Sequence, residues 1–286
     1  MIVAMRISKE MHRGNIVEIC NCFGQTRDAY YKYKHRQSKQ IEVFEKIIDM
    51  VKERRVDQPR EGGRKLHKAL KEKFQHDGLK VGRDKLFKIL FIYGMLVKRK
   101  RSGVRTTNSY HHFHKHKNLI KNLIITKPNQ VWVSDITYIR LVNGFCYLAL
   151  ITDVYSRKIV GYDVSNSLEL AGCLRAFKQA QRLARPAPGL IHHSDKGSQY
   201  CCNEYVNLLK KHHVKISMTE ENNCYENAMA ERVNGILKDE FYLDQSFEKL
   251  KLACGACENA IKIYNNKRLH LSLDYKTPEE VFKNRA

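Results

Sequence analysis

Three acidic residues sit where their surroundings call for a partner. Asp135 lies in VWVSDITYI (131–139), a run that alternates like a strand, and has apolar neighbours. Asp195 follows GLIHHS, where a short apolar run ends, and Glu231 lies in YENAMAERVNGILKDE, with 35 residues between the two. A carboxylate among apolar strand residues is unfavourable unless something pairs with it. Three carboxylates from separate elements converge only if a cation neutralises them, and oxygen-only ligation suits Mg²⁺ or Mn²⁺. Two such ions about 3.5–4 Å apart stabilise the attacking and leaving oxygens of a phosphodiester displacement. Composition and spacing alone leave a second reading open: a strand-edge Asp, a turn Asp and a solvent-facing Glu with no common purpose. If the three act together, they should lie within a metal's reach of one another, unless the glutamate's helix docks only with DNA or metal.

The elements that carry these residues follow from periodicity. Strands are expected at 131–139, 144–153, 158–164, 189–193 and 215–219, and helices at 168–185, 199–212, 225–242 and 247–268. Short links make the first three strands antiparallel neighbours, and the order predicts a mixed five-stranded sheet flanked by helices, an α/β domain. On the helix of Glu231, Asn227, Glu231, Asn234 and Lys238 recur at i, i+4, i+7 and i+11 and share a face. Asn223 and Glu226 have capping-box spacing for its start. Trp132 reads as core packing and Asp153 as a structural acid. His192 and His193 read as bracing or DNA-facing, since imidazole favours softer metals than Mg²⁺. Cys254 and Cys257 of CGAC share a helix face and read as packing.

The charge is uneven. The chain carries 52 Lys and Arg against 30 Asp and Glu, net +22, and residues 1–125 hold +18 of that. Such an excess implies a polyanionic partner. No apolar run approaches the ~18 residues of a membrane span, and the start lacks a signal peptide's apolar core. An intracellular, cytoplasmic chain with reduced cysteines and no membrane partner is therefore expected. Residues 1–57 read as a helical segment, with a break at Gly24, Thr26 as an N-cap, and a further amphipathic helix at 41–55. Residues 58–105 read as a basic helix-turn-helix region with its turn at Gly78. Its second helix, RDKLFKILFIYG, turns Leu86, Phe87, Ile89 and Leu90 inward and Arg83, Lys85 and Lys88 outward, as a DNA-reading helix requires. KRKR (98–101), with Arg99 and Lys100, opens a DNA-contacting basic linker whose last part, 106–125, includes the His-rich run HHFHKHK. The α/β core occupies 126–243, and a helix and tail at 244–286 complete it.

WVSDITYI, HHSDKGSQY and NNCYENAMAERVNGILKDE, in that order and spacing, resemble the Asp-Asp-Glu transposases of bacterial insertion sequences. These are the second-frame, orfB-type products related to retroviral integrases. YNNKRLHLSLDYKTPEEVF (264–282) resembles the same family's closing motif, so the resemblance covers nearly the whole chain. It implies a ribonuclease-H-like core with a two-ion Mg²⁺ or Mn²⁺ site. It also implies two reactions, strand cleavage at the element's ends and attack of the freed 3′-hydroxyl on target DNA. Asp135, Asp195 and Glu231 would be the catalytic metal ligands. Lys238 matches a position expected to touch DNA, and Arg268 and His270 would contact DNA or brace the core. The implied partners are double-stranded DNA, further copies of the chain on that DNA, and an upstream-frame helix-turn-helix product fused to it or acting with it. Arg232 departs from the family pattern, which has a small residue after the glutamate, Glu226 replaces a more usual Asp, and EGGRKLH (61–67) lacks the usual aromatic-containing helix entry. Two rivals stay open: a nuclease or resolvase of the same fold that cuts without joining, and a non-catalytic DNA-binding relic.

Overall fold

The computed structural model describes residues 15–98, 113–220 and 227–284. Contacts divide the chain into two units: residues up to Arg54 with Leu70–Leu96, and Arg55–Ala69 with the chain from Val97 onward.

The first unit is all helical. Helix α1 (Ile16–Cys22) is closed by an Asn15–Glu18 capping box. Helix α2 runs from Arg27 to Asp57 without interruption, joining the helix expected after Thr26 to the amphipathic one expected at 41–55. QSKQ holds no glycine or proline, so nothing ends the helix there. Thr26 does cap it, its hydroxyl accepting from the Ala29 N–H at 3.1 Å. Helix α3 (Gly63–His76) ends at Gly78 and α4 (Arg83–Ile92) at Gly94, both with positive φ, a conformation that side-chain-bearing residues resist. Leu86, Ile89 and Leu90 of α4 are buried, and Arg83, Lys85 and Lys88 are exposed.

The second unit is built on a five-stranded sheet in the order β3-β2-β1-β4-β5. Strands β1 (Val131–Leu141), β2 (Gly144–Asp153) and β3 (Ile159–Ser165) are antiparallel neighbours. Strands β4 (Ile191–Ser194) and β5 (Lys215–Met218) run parallel to β1. This is the ribonuclease-H-like mixed sheet expected from the sequence. Trp132, Ile151 and Val160 on one face pack with Phe177 of α5 (Leu170–Ala184) and Tyr205 of α7 (Asn203–Lys211), with the short α6 (Ser198–Cys201) beside them. Ile139, Leu148 and Leu150 on the other face pack with Val233 and Leu237 of α8 (Ala228–Glu240) and Tyr264 of α9 (Leu250–Asn266). A 3₁₀ turn (Leu271–Leu273) and α10 (Pro278–Lys283), which starts with a Thr277–Glu280 capping box, close the chain.

Both sheet edges are covered, which removes templates for pairing with another strand. The Gln179 side chain accepts from the Tyr162 N–H at 2.8 Å, and Asn265 takes both backbone groups of Ile159 at 2.9 Å. At the β5 edge, the segment expected to be a linker is a strap: the Leu119 N–H donates to Ser217 Oγ at 2.8 Å and Phe113 packs on the core. Residues 55–69 also belong to this unit, although 58–69 were expected to open the helix-turn-helix region. The Arg60 N–H donates to the Glu240 carbonyl at 3.3 Å, and its guanidinium lies 4.3 Å from the Tyr242 ring centre.

Candidate active site

The sheet register brings two of the acids together. Ser134 of β1 pairs with Ser194 of β4, so Asp135 and Asp195 follow at the same level of adjacent strands, which lie about 4.8 Å apart. Asp135 points to the α8 face, opposite Leu150 of β2. The Ile136 N–H donates to its Oδ1 at 2.9 Å, and Asn234 Nδ2 to its Oδ2 at 2.7 Å. Asp195 forms a tight turn in which its Oδ1 accepts the Gly197 N–H at 3.0 Å. A Cβ at position 197 would come within 3.0 Å of that same oxygen, which explains the glycine of SDKGSQ.

Helix α8 carries the third acid and is fastened to β1 on both sides of it. Asn227 Nδ2 donates to the Ser134 carbonyl at 3.2 Å, and Asn234 holds Asp135. Glu231 lies between these two on the same helix face and is exposed. The spacing of Asn227 and Asn234 was visible in the sequence, but their attachment to β1 was not. Lys238, one turn beyond Asn234, is half-buried. Burial lowers its pKa, and the charges of Asp135 and Asp239 partly restore it.

Electrostatics ties the three acids together. Burial raises the Asp135 carboxyl to about 7, the negative charge of Asp195 adds to this, and Glu231 adds further; the bonds from Asn234 and Ile136 pull the other way. These oxygens suit a hard cation, whose charge would oppose the burial and the repulsion that raise Asp135. The expected single cluster is only partly formed. Among the described residues, no three His, Cys, Asp or Glu side chains stand close enough to hold a metal ion as they are.

The histidines brace the strands. His192 Nε2 lies 2.7 Å from Ser134 Oγ and 3.0 Å from the Tyr205 hydroxyl, and His193 Nδ1 lies 2.8 Å from Ser217 Oγ. Burial, with the neighbouring His193, lowers His192 to about 3, so its imidazole is neutral. Asp153 is wholly buried and structural: it accepts from Ser156 N and Oγ and from Asn129 N at 2.6–2.8 Å. Trp132 is core, its indole N–H held by Asn129 at 3.1 Å. Cys257 is buried in the core and Cys254 half-buried, as packing requires.

Arg268, for which a DNA contact and a brace were both open, is placed as a brace. It is 5% exposed, and its guanidinium grips Glu240 with two bonds, Nε to Oε2 at 2.9 Å and NH2 to Oε1 at 2.7 Å. Lys65 Nζ joins Oε2 at 2.6 Å, closing a buried Lys–Glu–Arg triad that sequence reasoning missed. His270 is buried against the Tyr264 ring, 5.1 Å between centres, and is likewise a brace. Arg99, Lys100 and the Asn223–Glu226 capping pair lie outside the described residues.

Comparison with known proteins follows the same outline. The integrase core domain family matches residues 125–224, and a second integrase core domain family matches 212–278. The chain is 37% identical over 267 residues to the uncharacterized 31 kDa protein of insertion element IS600 from Shigella sonnei, covering 91% of this chain and 96% of that one. It is 36% identical to the transposase for insertion sequence element IS904 from Lactococcus lactis, over 72% of this chain and 82% of that one. The HTLV-2 integrase catalytic core domain, solved in complex with magnesium, overlays 55% of this chain with 97% of its own, at a TM-score of 0.45 and 21% identity. Among the described residues no helix is long and apolar enough to cross a membrane. A match that spans nearly the full length of one relative and most of another places the chain in the family of insertion-sequence transposases built on an integrase core domain.

Proposed function

We propose that this transposase cuts DNA at the ends of an insertion sequence and joins the freed 3′-hydroxyl to target DNA, with Asp135, Asp195 and Glu231 holding two Mg²⁺ or Mn²⁺ ions. The observation that carries this reading is the Asp135 carboxyl, set level with Asp195 and raised to about 7 by burial and by that neighbour's charge. Divalent cations bound there would supply positive charge that activates a water or 3′-hydroxyl and steadies the leaving oxygen.

The chain's own residues supply the positioning. Asn234 and the Ile136 N–H fix the orientation of the Asp135 carboxylate, and the Gly197 N–H fixes that of Asp195. Asn227 and Asn234 hold α8 against β1 on either side of Glu231, whose exposed carboxylate would complete the ligand set. Asp135 must release its proton before it ligates. Lys238, with its charge acting on Asp135, would meet a phosphate beside the reacting one. Arg83, Lys85 and Lys88 on the exposed side of α4 would contact DNA away from the chemistry. The protein would work as an oligomer on paired element ends, alone or with the upstream-frame helix-turn-helix product.

Strand transfer from a precleaved element end tests the reading. Joined product that requires Mg²⁺ or Mn²⁺ and vanishes in Asp195→Asn, with DNA binding intact, is expected. Cutting without joining would leave a nuclease, and activity that survives Asp195→Asn would remove the proposed site.

A further inference from the structure

Helix α8 has a second face. Met229, Arg232, Ile236 and Glu240 follow at i, i+3, i+7 and i+11, turned away from Asp135. At one end of this face Met229 Sδ receives Arg157 NH1 at 3.0 Å, and at the other Glu240 holds Arg268 and Lys65. Arg232 therefore lies between two arginines and beside the glutamate of the acidic trio.

Positive charge dominates this side. Arg157, Arg232, Arg268 and Lys65 all act on the buried His270, and burial together with their charges lowers its imidazole to about 2. Glu240 has both oxygens taken by Arg268 and Lys65. Among the described residues no carboxylate pairs with Arg157 or Arg232. Arg157 is half-buried all the same, and its only bonds run from NH1, to Met229 and to the Val154 carbonyl at 2.6 Å. Burial of a guanidinium without a direct ion pair is unfavourable and lowers the Arg157 pKa, which Tyr264 and the charge of Asp153, itself bonded to Ser156 and Asn129, only partly restore.

The backbone of Arg157 is also unusual. Its φ is +65°, uncommon for a residue with a long side chain. The turn holds it there: the Arg157 N–H donates to the Asp153 carbonyl at 2.9 Å, the Tyr264 hydroxyl donates to the Arg157 carbonyl at 3.0 Å, and Asp153 is fixed by Ser156. A rigid turn thus presents an unpaired guanidinium beside α8, and such local strain is commonly kept where it serves a function.

We propose that Arg157 and Arg232 form a phosphate-binding position for the DNA backbone on the side of α8 turned away from Asp135, next to Glu231. This rests on the reading of the three carboxylates as the cutting and joining site. Arg232 follows Glu231 by one residue, 1.5 Å along the helix and about 100° around it. Phosphates recur every 3.4 Å of rise along a strand, so a strand engaged at Glu231 carries further phosphates past this face. Arginine's fork matches phosphate oxygens in pairs. The arginine in place of a small residue after Glu231 thereby acquires a purpose.

The test is the salt dependence of binding between the full chain and a precleaved duplex taken from the DNA that flanks its gene. Each lost phosphate contact should make the slope of log K against log salt shallower by about 0.9. Arg232→Gln, an exposed position that cannot unfold the chain, should show that change, and the double variant with Arg157→Gln about twice it. Arg157→Lys should keep the slope and weaken binding, because charge stays and the fork is lost. Wild-type slopes in both Gln variants would overturn the proposal. So would protection against heating by inorganic phosphate that requires Arg157 while DNA slopes stay unchanged, since the site would then take a free anion. Failure of the catalytic reading shows separately, as cleavage that survives Asp135→Asn.

Discussion

Glu231 and Glu240 are the same residue type on the same helix, nine positions apart, and the chain treats them oppositely. Glu240 is held by a bidentate arginine and a lysine. Burial pushes its carboxyl up, but the bonds and charges of Arg268 and Lys65 outweigh this and leave it below the usual range. Glu231 is exposed, and its helix neighbours on the same face are neutral amides bonded to β1. The contrast separates two uses of charge. A carboxylate saturated by its own protein can only hold structure, whereas a carboxylate positioned by amides and left without a cation is available to something from outside.

Exchanging charge for an isostere at each glutamate breaks or sharpens this contrast. Glu231→Gln and Asp135→Asn should lower strand cleavage by about 10³-fold or more, the scale of losing charge stabilisation at a reacting phosphate. Unfolding in urea should be unchanged for Glu231→Gln. Glu240→Gln should do the reverse at first: it strands Arg268 and Lys65 inside the protein, which costs about 3–5 kcal/mol. Urea unfolding of that variant measures the loss, and cleavage per folded molecule should stay within a few-fold of wild type. If Glu240→Gln proved stable and inactive, the division of labour along α8 would be wrong.

The two glutamates also differ in how far the sequence betrayed them. Alternation and turn residues located all five strands, because each strand faces apolar layers and declares them locally. The acids of the site stood out by being polar in such company. Asn234 showed itself only as a residue on the Glu231 face, since its partner Asp135 is 99 positions away. The Glu240 triad was invisible, because Lys65 lies 175 positions from Glu240 and nothing local marks either as buried. Arg268 could not be assigned for the same reason: a basic residue in a tail motif reads equally as a DNA contact or a brace until the carboxylate beneath it is known. Where a local breaker was absent, as in QSKQ, the helix simply continued.

Asn234 tests whether amide positioning matters to the chemistry. Asn234→Ala removes the bond to Asp135 Oδ2 and should reduce metal affinity or cleavage by about 10–100-fold, as losses around metal ligands commonly do. Asn234→Asp should be worse, because a fourth carboxylate would raise Asp135 further. Titration of Mg²⁺ against cleavage rate separates the two: excess metal should recover much of the alanine variant's rate and little of the aspartate's. Equal rates in wild type and Asn234→Ala at low Mg²⁺ would reduce this asparagine to helix packing.

The smallest effect is on stability against pH, and here Asp135, beside α8, and Glu240, at its end, should pull in opposite directions. Asp135 titrates at about 7 in the folded chain, above its value of about 3.9 when unfolded. Between those values the folded state binds more protons than the unfolded one, so this group's contribution is full below about pH 4 and is lost as pH rises toward 7. The slope is at most about 1.4 kcal/mol per pH unit. Glu240, shifted downward, contributes above its unfolded pKa and loses that contribution as pH falls through its folded value. Without divalent metal, the thermal midpoint should therefore fall from about pH 5 to pH 7 in wild type and in Glu240→Gln, and stay nearly flat over that range in Asp135→Asn. Mg²⁺ should recover the midpoint at pH 7.5 only where Asp135 is present, because binding replaces the proton that the carboxyl must release. A wild-type midpoint that rises between pH 5 and 7 without metal would mean that neither burial nor the charge of Asp195 raises Asp135, and the strand register would then bring the two acids level without coupling them.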